Sequence, residues 1–118
     1  VEKSMRFVEL VKSPYLQVYP DSGNLMNASL EPGAKNVYED IELGRGHIVA
    51  AHLKETIPGH YREIPFGTGQ IDFKRMVDTF LSIGVNRFTG EFWYVGQENW
   101  IEDIKFANQF LRSHFPNK

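Results

Sequence analysis

Apolar positions recur at helical spacing in four stretches and gather into short runs in three others, and the two kinds alternate along the chain. Val1, Met5, Val8 and Val11 mark a first helix, with charged Glu2, Lys3, Arg6 and Lys12 between them and Pro14 as its stop. Leu16-Gln17-Val18-Tyr19 reads as a short strand that ends in Pro20-Asp21-Ser22-Gly23-Asn24. The spacing predicts a second helix over 34–43, with Val37 and Ile41 inward and Gly44 and Gly46 closing it. A run over 48–53 follows and breaks off abruptly in His52, Lys54 and Glu55, as a buried parallel strand does where it surfaces at its C-terminal end. A loop through Gly69 leads to Asp72, a helix-start residue. Phe73, Met76, Val77, Phe80 and Leu81 then lie at i, i+3, i+4, i+7 and i+8, and Gly84 terminates that helix. Residues 86–94 read as a third strand. Residues 98–114 read as a last helix burying Trp100, Ile104, Ala107 and Leu111, with Pro116 after it.

Strands alternating with helices in the order α-β-α-β-α-β-α imply an α/β fold with parallel pairing. No Gly-x-Gly-x-x-Gly turn and no P-loop is present, which weighs against nucleotide-binding sheets. At 118 residues, 1–118 reads as one domain or part of a larger one. The chain opens without an initiator Met, inside a predicted helix, and the expectation is that it is a piece of something longer. A net charge of −2 gives no basic footprint for nucleic acid. The absence of cysteine excludes disulfides and thiolate metal sites. No apolar run approaches the roughly 20 residues that span a bilayer, and the N-terminus lacks the apolar core of a signal peptide, so a cytoplasmic protein is expected.

Each predicted strand delivers a metal-competent side chain as it ends: Asp21, His52 and Glu91. In parallel α/β architectures such ends converge at one edge of the sheet, and one imidazole with two carboxylates suits a divalent ion such as Mn²⁺, Zn²⁺ or Co²⁺. Other readings stand beside this one. An Asp in Asp-Ser-Gly-Asn also forms turns, and a histidine ending an apolar run also serves as a hydrogen-bonded structural group. Glu91, between Gly90 and Phe92-Trp93-Tyr94, favours function, because a carboxylate in so apolar a strand is costly unless paired or coordinated. Glu55 and Arg62 also fit a plain surface pair, and His47 and His60 fit surface or packing roles better than ligation.

Three ordered motifs carry a resemblance: Tyr19-Pro20-Asp21-Ser22-Gly23-Asn24-Leu25, His52-Leu53-Lys54-Glu55-Thr56, and Pro65-Phe66-Gly67-Thr68-Gly69 before Asp72-Phe73. Together they resemble the bacterial L-ribulose (L-xylulose) 5-phosphate 3-epimerases, which are xylose-isomerase-like TIM barrels. The resemblance implies the C-terminal part of a (β/α)₈ barrel, with three parallel strands alternating with four helices. It implies a divalent metal (Mn, Zn or Co) held by Asp21, His52 and Glu91, and a first ligand, a Glu from an earlier strand, that has no counterpart in the chain. It further implies a pentulose 5-phosphate substrate whose C3 is inverted by proton abstraction through an enediolate. Glu91 would be one catalytic carboxylate of the pair, and Lys54, Glu55, Arg62 and Asn24 would face or orient substrate. A full barrel needs about 250 residues, so the chain alone is expected to be inactive, and its exposed strands to drive a homo-oligomer or swapped dimer. The alternatives are a related sugar isomerase of the same superfamily, an abasic-site endonuclease-like metalloenzyme, for which a basic surface and further ligands are missing, and a non-catalytic assembly module.

Overall fold

The first helix, α1 (Glu2–Val11), buries Val8 and ends where Lys12 turns left-handed at φ 51° and donates its N–H back to the Val8 carbonyl at 3.0 Å. Val11, expected to face inward, is 56% exposed on the last turn. The computed structural model describes residues 1–116.

The strand predicted over 16–19 is present only in outline. Val18 donates to His47 O at 2.8 Å and accepts from Val49 N–H at 3.2 Å, and His52 donates to Pro20 O at 2.8 Å. These contacts form two isolated parallel bridges, Val18↔Ile48 and Asp21↔His52, rather than a ladder. The cause is local. Three residue steps separate the bridges on one side and four on the other, a one-residue bulge, and Pro20 has no N–H to continue the pattern.

That segment runs directly into α2 (Ser22–Ala28), a helix not expected from the sequence, where Asp-Ser-Gly-Asn also fits a turn. Asp21 caps it, accepting the Asn24 N–H at 2.7 Å. Helix α3 (Val37–Glu42) begins later than predicted because Asn36 caps it, accepting from Tyr38 N–H at 3.0 Å. Strand β1 (Ala51–Leu53) pairs in parallel with β2 (Phe88–Gly90), with His52 opposite Thr89 and Leu53 opposite Gly90. The Glu91 N–H extends the ladder past the strand end to Leu53 O at 2.9 Å. Between the strands lies α4 (Phe73–Ser82), capped by Asp72, with Phe73, Met76, Val77 and Phe80 buried as the periodicity predicts. Its apolar face, with Ile41 and Leu53, makes the centre of the core.

Helix α5 (Trp100–Ser113) buries Ala107 and Leu111 as expected, but Trp100 and Ile104 are 47% and 44% exposed. The helix closes on β2 at Gly90, where a Cβ would meet Leu111 Cδ1 at 2.8 Å, and its earlier turns lie beyond that contact. Ile104 instead lines a groove of about 730 Å³ beside β2, with Phe88 and Phe92 on the strand side. Among the described residues no helix is long and apolar enough to cross a membrane.

The two faces of α5 should differ sharply in chemical denaturation. Leu111→Ala is expected to cost about 2–4 kcal/mol as a buried truncation, and Trp100→Ala under about 1 kcal/mol. Comparable losses for both would contradict this placement.

Candidate metal centre

Side chains alternate across a strand, so Asp21, His52 and Lys54, and Glu91 each emerge on one face of the short sheet as its strands end. The register then does the rest. The Asp21↔His52 bridge and the β1–β2 pairing bring ligand-capable atoms of Asp21, His52 and Glu91 within 4.8 Å of one another. His52 Nδ1 lies 2.6 Å from Glu91 Oε2, a contact that needs a proton on Nδ1, and 3.9 Å from Asp21 Oδ2.

Asp21 divides its two oxygens. Oδ1 caps α2 and faces Lys54 Nζ at 3.3 Å, while Oδ2 is buried with no hydrogen-bond partner among the described residues. An orphaned carboxylate oxygen turned towards an imidazole and a second carboxylate fits a divalent cation, and the mixed N/O set suits Mn²⁺, Zn²⁺ or Co²⁺. Burial raises the Asp21 pKa above its ordinary value and the Glu91 charge adds to this. The Asn24 N–H and the Lys54 ammonium oppose it.

Lys54 is buried at 6% exposure, and its Nζ reaches Asn24 Oδ1 at 3.0 Å and Glu91 Oε1 at 3.4 Å as well as Asp21. Gly23 makes room for it, since a Cβ there would come within 3.1 Å of Lys54 Cε. Ser22 locks α2 to the strand end, donating to Lys54 O at 2.9 Å and accepting its N–H at 2.8 Å. Asn27, five residues on, bonds Thr56 Oγ1 and accepts from Gly59 N–H at 3.2 Å. Asn24 and Lys54 therefore sit at the cluster.

Glu55 does not. It is 2% exposed, and its carboxylate accepts backbone N–H groups from Thr56 (3.1 Å), Gly67 (3.0 Å) and Ile71 (3.0 Å). The loop before α4 wraps around it so tightly that a Cβ at Gly69 would come within 2.5 Å of Oε1. The signal was in the sequence: Glu55 shares the strand parity of Ala51 and Leu53, the buried side, and Gly67 and Gly69 mark the close approach. Arg62 also lies outside the cluster. Its guanidinium stacks 4.1 Å from the Trp93 ring, linking the loops that follow β1 and β2. Neither His47 nor His60 joins the cluster: His47 is half-buried beside Gln17 at 3.3 Å, and His60 is exposed, its backbone carbonyl accepting from Asn27. Tyr19, quoted above in a motif but given no role at the site, packs its ring 4.5 Å from the His52 imidazole and bonds its hydroxyl to Thr89 Oγ1 at 2.9 Å.

Three comparisons bear on this arrangement. The family model described as xylose isomerase-like TIM barrel matches residues 1–114. The chain is 31% identical over 114 residues to the L-ribulose-5-phosphate 3-epimerases UlaE of Salmonella paratyphi A and Salmonella typhimurium, covering 96% of this chain and 38% of each relative. It therefore spans little more than a third of the length of those relatives. A solved L-ribulose 3-epimerase structure superposes with a TM-score of 0.63 at 19% identity, over 96% of this chain and 42% of that one, so the fold is that of a partial TIM barrel.

Two outcomes check the site. The protonated Asp21 is the form the fold favours, so its contribution to stability is present below the ordinary carboxylate pKa and lost as pH rises through the raised one. Asp21→Asn keeps the cap without the charge and should melt at or above the parent near neutral pH, an advantage that disappears in acid. Asp21→Ala loses the cap and should lie about 1 kcal/mol below Asp21→Asn. Glu55→Gln is expected to cost about 2 kcal/mol through its lost backbone bonds without abolishing metal binding. Loss of metal binding with unchanged stability would place Glu55 at the site instead.

Proposed function

This chain belongs to the xylose isomerase-like TIM barrel family, and from that premise we propose that it is the C-terminal barrel part of a metal-dependent pentulose-5-phosphate 3-epimerase. The observation that carries this reading is the convergence of Asp21, His52 and Glu91 within 4.8 Å, with a buried Asp21 oxygen left unpartnered among the described residues. The similarity to L-ribulose-5-phosphate 3-epimerases supports the substrate class.

Asp21, His52 and Glu91 would hold the divalent ion, which when bound supplies a Lewis acid beside a ketose carbonyl and hydroxyl. Glu91 is the group that takes the C3 proton, leaving the enediolate, and returns it. Its second carboxylate oxygen faces Lys54 at 3.4 Å, so the ammonium orients it. Asn24, bonded to Lys54, stands at the rim where a sugar hydroxyl would approach. Arg62, on the loop after β1 and stacked on Trp93, would contact the distal end of the substrate. Inversion needs a second carboxylate on the opposite face of C3, and none joins the cluster among the described residues. The 118 residues thus supply one half of the proton relay, and association along the open side of β2 is the expected way of covering it.

Incubation of the chain with Mn²⁺ and L-ribulose 5-phosphate in D₂O, followed by NMR, tests the reading. One carboxylate returns the proton to the face it came from. Deuterium is therefore expected at C3 without the C3 epimer, and Glu91→Gln should stop the exchange. Accumulation of L-xylulose 5-phosphate would contradict the one-carboxylate assignment, and exchange unaffected by Glu91→Gln would remove Glu91 from the mechanism.

A further inference from the structure

The inner face of the sheet carries one contact that neither ligation nor core packing explains. Tyr19 is 50% exposed, yet its hydroxyl is engaged at 2.9 Å by Thr89, seventy residues away in sequence. Thr89 is the residue paired with His52 across the β1–β2 ladder. Between the two, the Tyr19 ring lies 4.5 Å from the imidazole, tilted by 55°. The residue after Tyr19 is itself tied to the histidine, because Pro20 O accepts the His52 N–H at 2.8 Å. Tyr19 therefore crosses β1 as a strap: its backbone is fixed on one side of His52, its ring covers the imidazole, and its hydroxyl is anchored on the other side. An imidazole on a strand can occupy several χ1 and χ2 rotamers unless something restricts it. Here the covered ring presents Nδ1 to Glu91 Oε2 at 2.6 Å and to Asp21 Oδ2 at 3.9 Å.

We propose that Tyr19 and Thr89 form a positioning pair that fixes the His52 imidazole with Nδ1 aimed between the Asp21 and Glu91 carboxylates, so that the divalent cation meets a preorganised nitrogen ligand. The pair acts through His52 and touches no reacting atom. The inference rests on the metal reading above for its purpose; the strap itself is made of protein contacts alone.

The test uses Tyr19→Phe, which keeps the ring and loses the hydroxyl, Thr89→Val, which loses the anchor at similar volume, and Thr89→Ser, which restores it. The first readout is NMR of the His52 ring in the metal-free chain. The carbon-bound ring protons should be displaced by the Tyr19 ring current, the displacement should collapse in Tyr19→Phe and Thr89→Val, and Thr89→Ser should recover it. The second readout is Mn²⁺ affinity by calorimetry and the Co²⁺ absorption spectrum. The two hydroxyl-loss variants should bind on the order of tenfold more weakly, with an altered Co²⁺ spectrum, and the double variant should be no worse than either single one. An unchanged His52 signal in both hydroxyl-loss variants overturns the proposal. So does a moved ring with undiminished affinity in a chain that binds metal. If the parent chain binds no metal while the ring still responds to the strap, the metal reading fails and the positioning of His52 stands.

Discussion

Crowding two carboxylates and an imidazole within 4.8 Å is costly unless protons or positive charge accompany them, and the buried Lys54 ammonium is the cation the chain itself provides. It faces Asp21 at 3.3 Å and Glu91 at 3.4 Å and donates to Asn24 at 3.0 Å. Removing Lys54 would leave the carboxylates without their buried cation, typically a loss of about 3–5 kcal/mol. Lys54 leaves Asp21 Oδ2 unsatisfied, however, so its compensation is partial. In the proposed reading, the remaining deficit is the electrostatic opening that a divalent ion would fill. Much of the surrounding structure serves this cluster: Gly23 admits the lysine stem, Ser22 fixes the Lys54 backbone, and the Asp21 cap joins α2 to the site.

Behind the cluster, a second buried carboxylate does purely architectural work. Glu55 gathers three backbone N–H groups from a loop that would otherwise be unsatisfied, and so fixes the path from β1 into α4. One strand end thus sends successive side chains to opposite tasks, His52 and Lys54 to the inner face and Leu53 and Glu55 to the core.

How much of this was legible follows from which physics each residue reports. Strand ends were readable because an apolar run broken by His52 is uncommon without a reason, and α4 because its apolar face repeats at helical period over three turns. The α2 helix was not, since Asp-Ser-Gly-Asn is equally good turn chemistry, and only the backbone distinguishes a capped helix from a turn. The broken pairing of residues 18–21 follows from Pro20, a signal present in the sequence and given too little weight. Tyr19 was invisible as a positioning residue because its partner Thr89 is brought to it only by strand register. Trp100 and Ile104 were assigned to the core by periodicity, which reports a helix face but not what lies against it.

The most direct measurement is a calorimetric titration of the 118-residue chain with Mn²⁺ and with Zn²⁺, beside His52→Ala. Saturable binding with one ion per chain, lost in the variant, is the expected result and would establish a three-donor centre formed by Asp21, His52 and Glu91. Binding of equal strength in both proteins, or in neither, would contradict a preformed site at these strand ends.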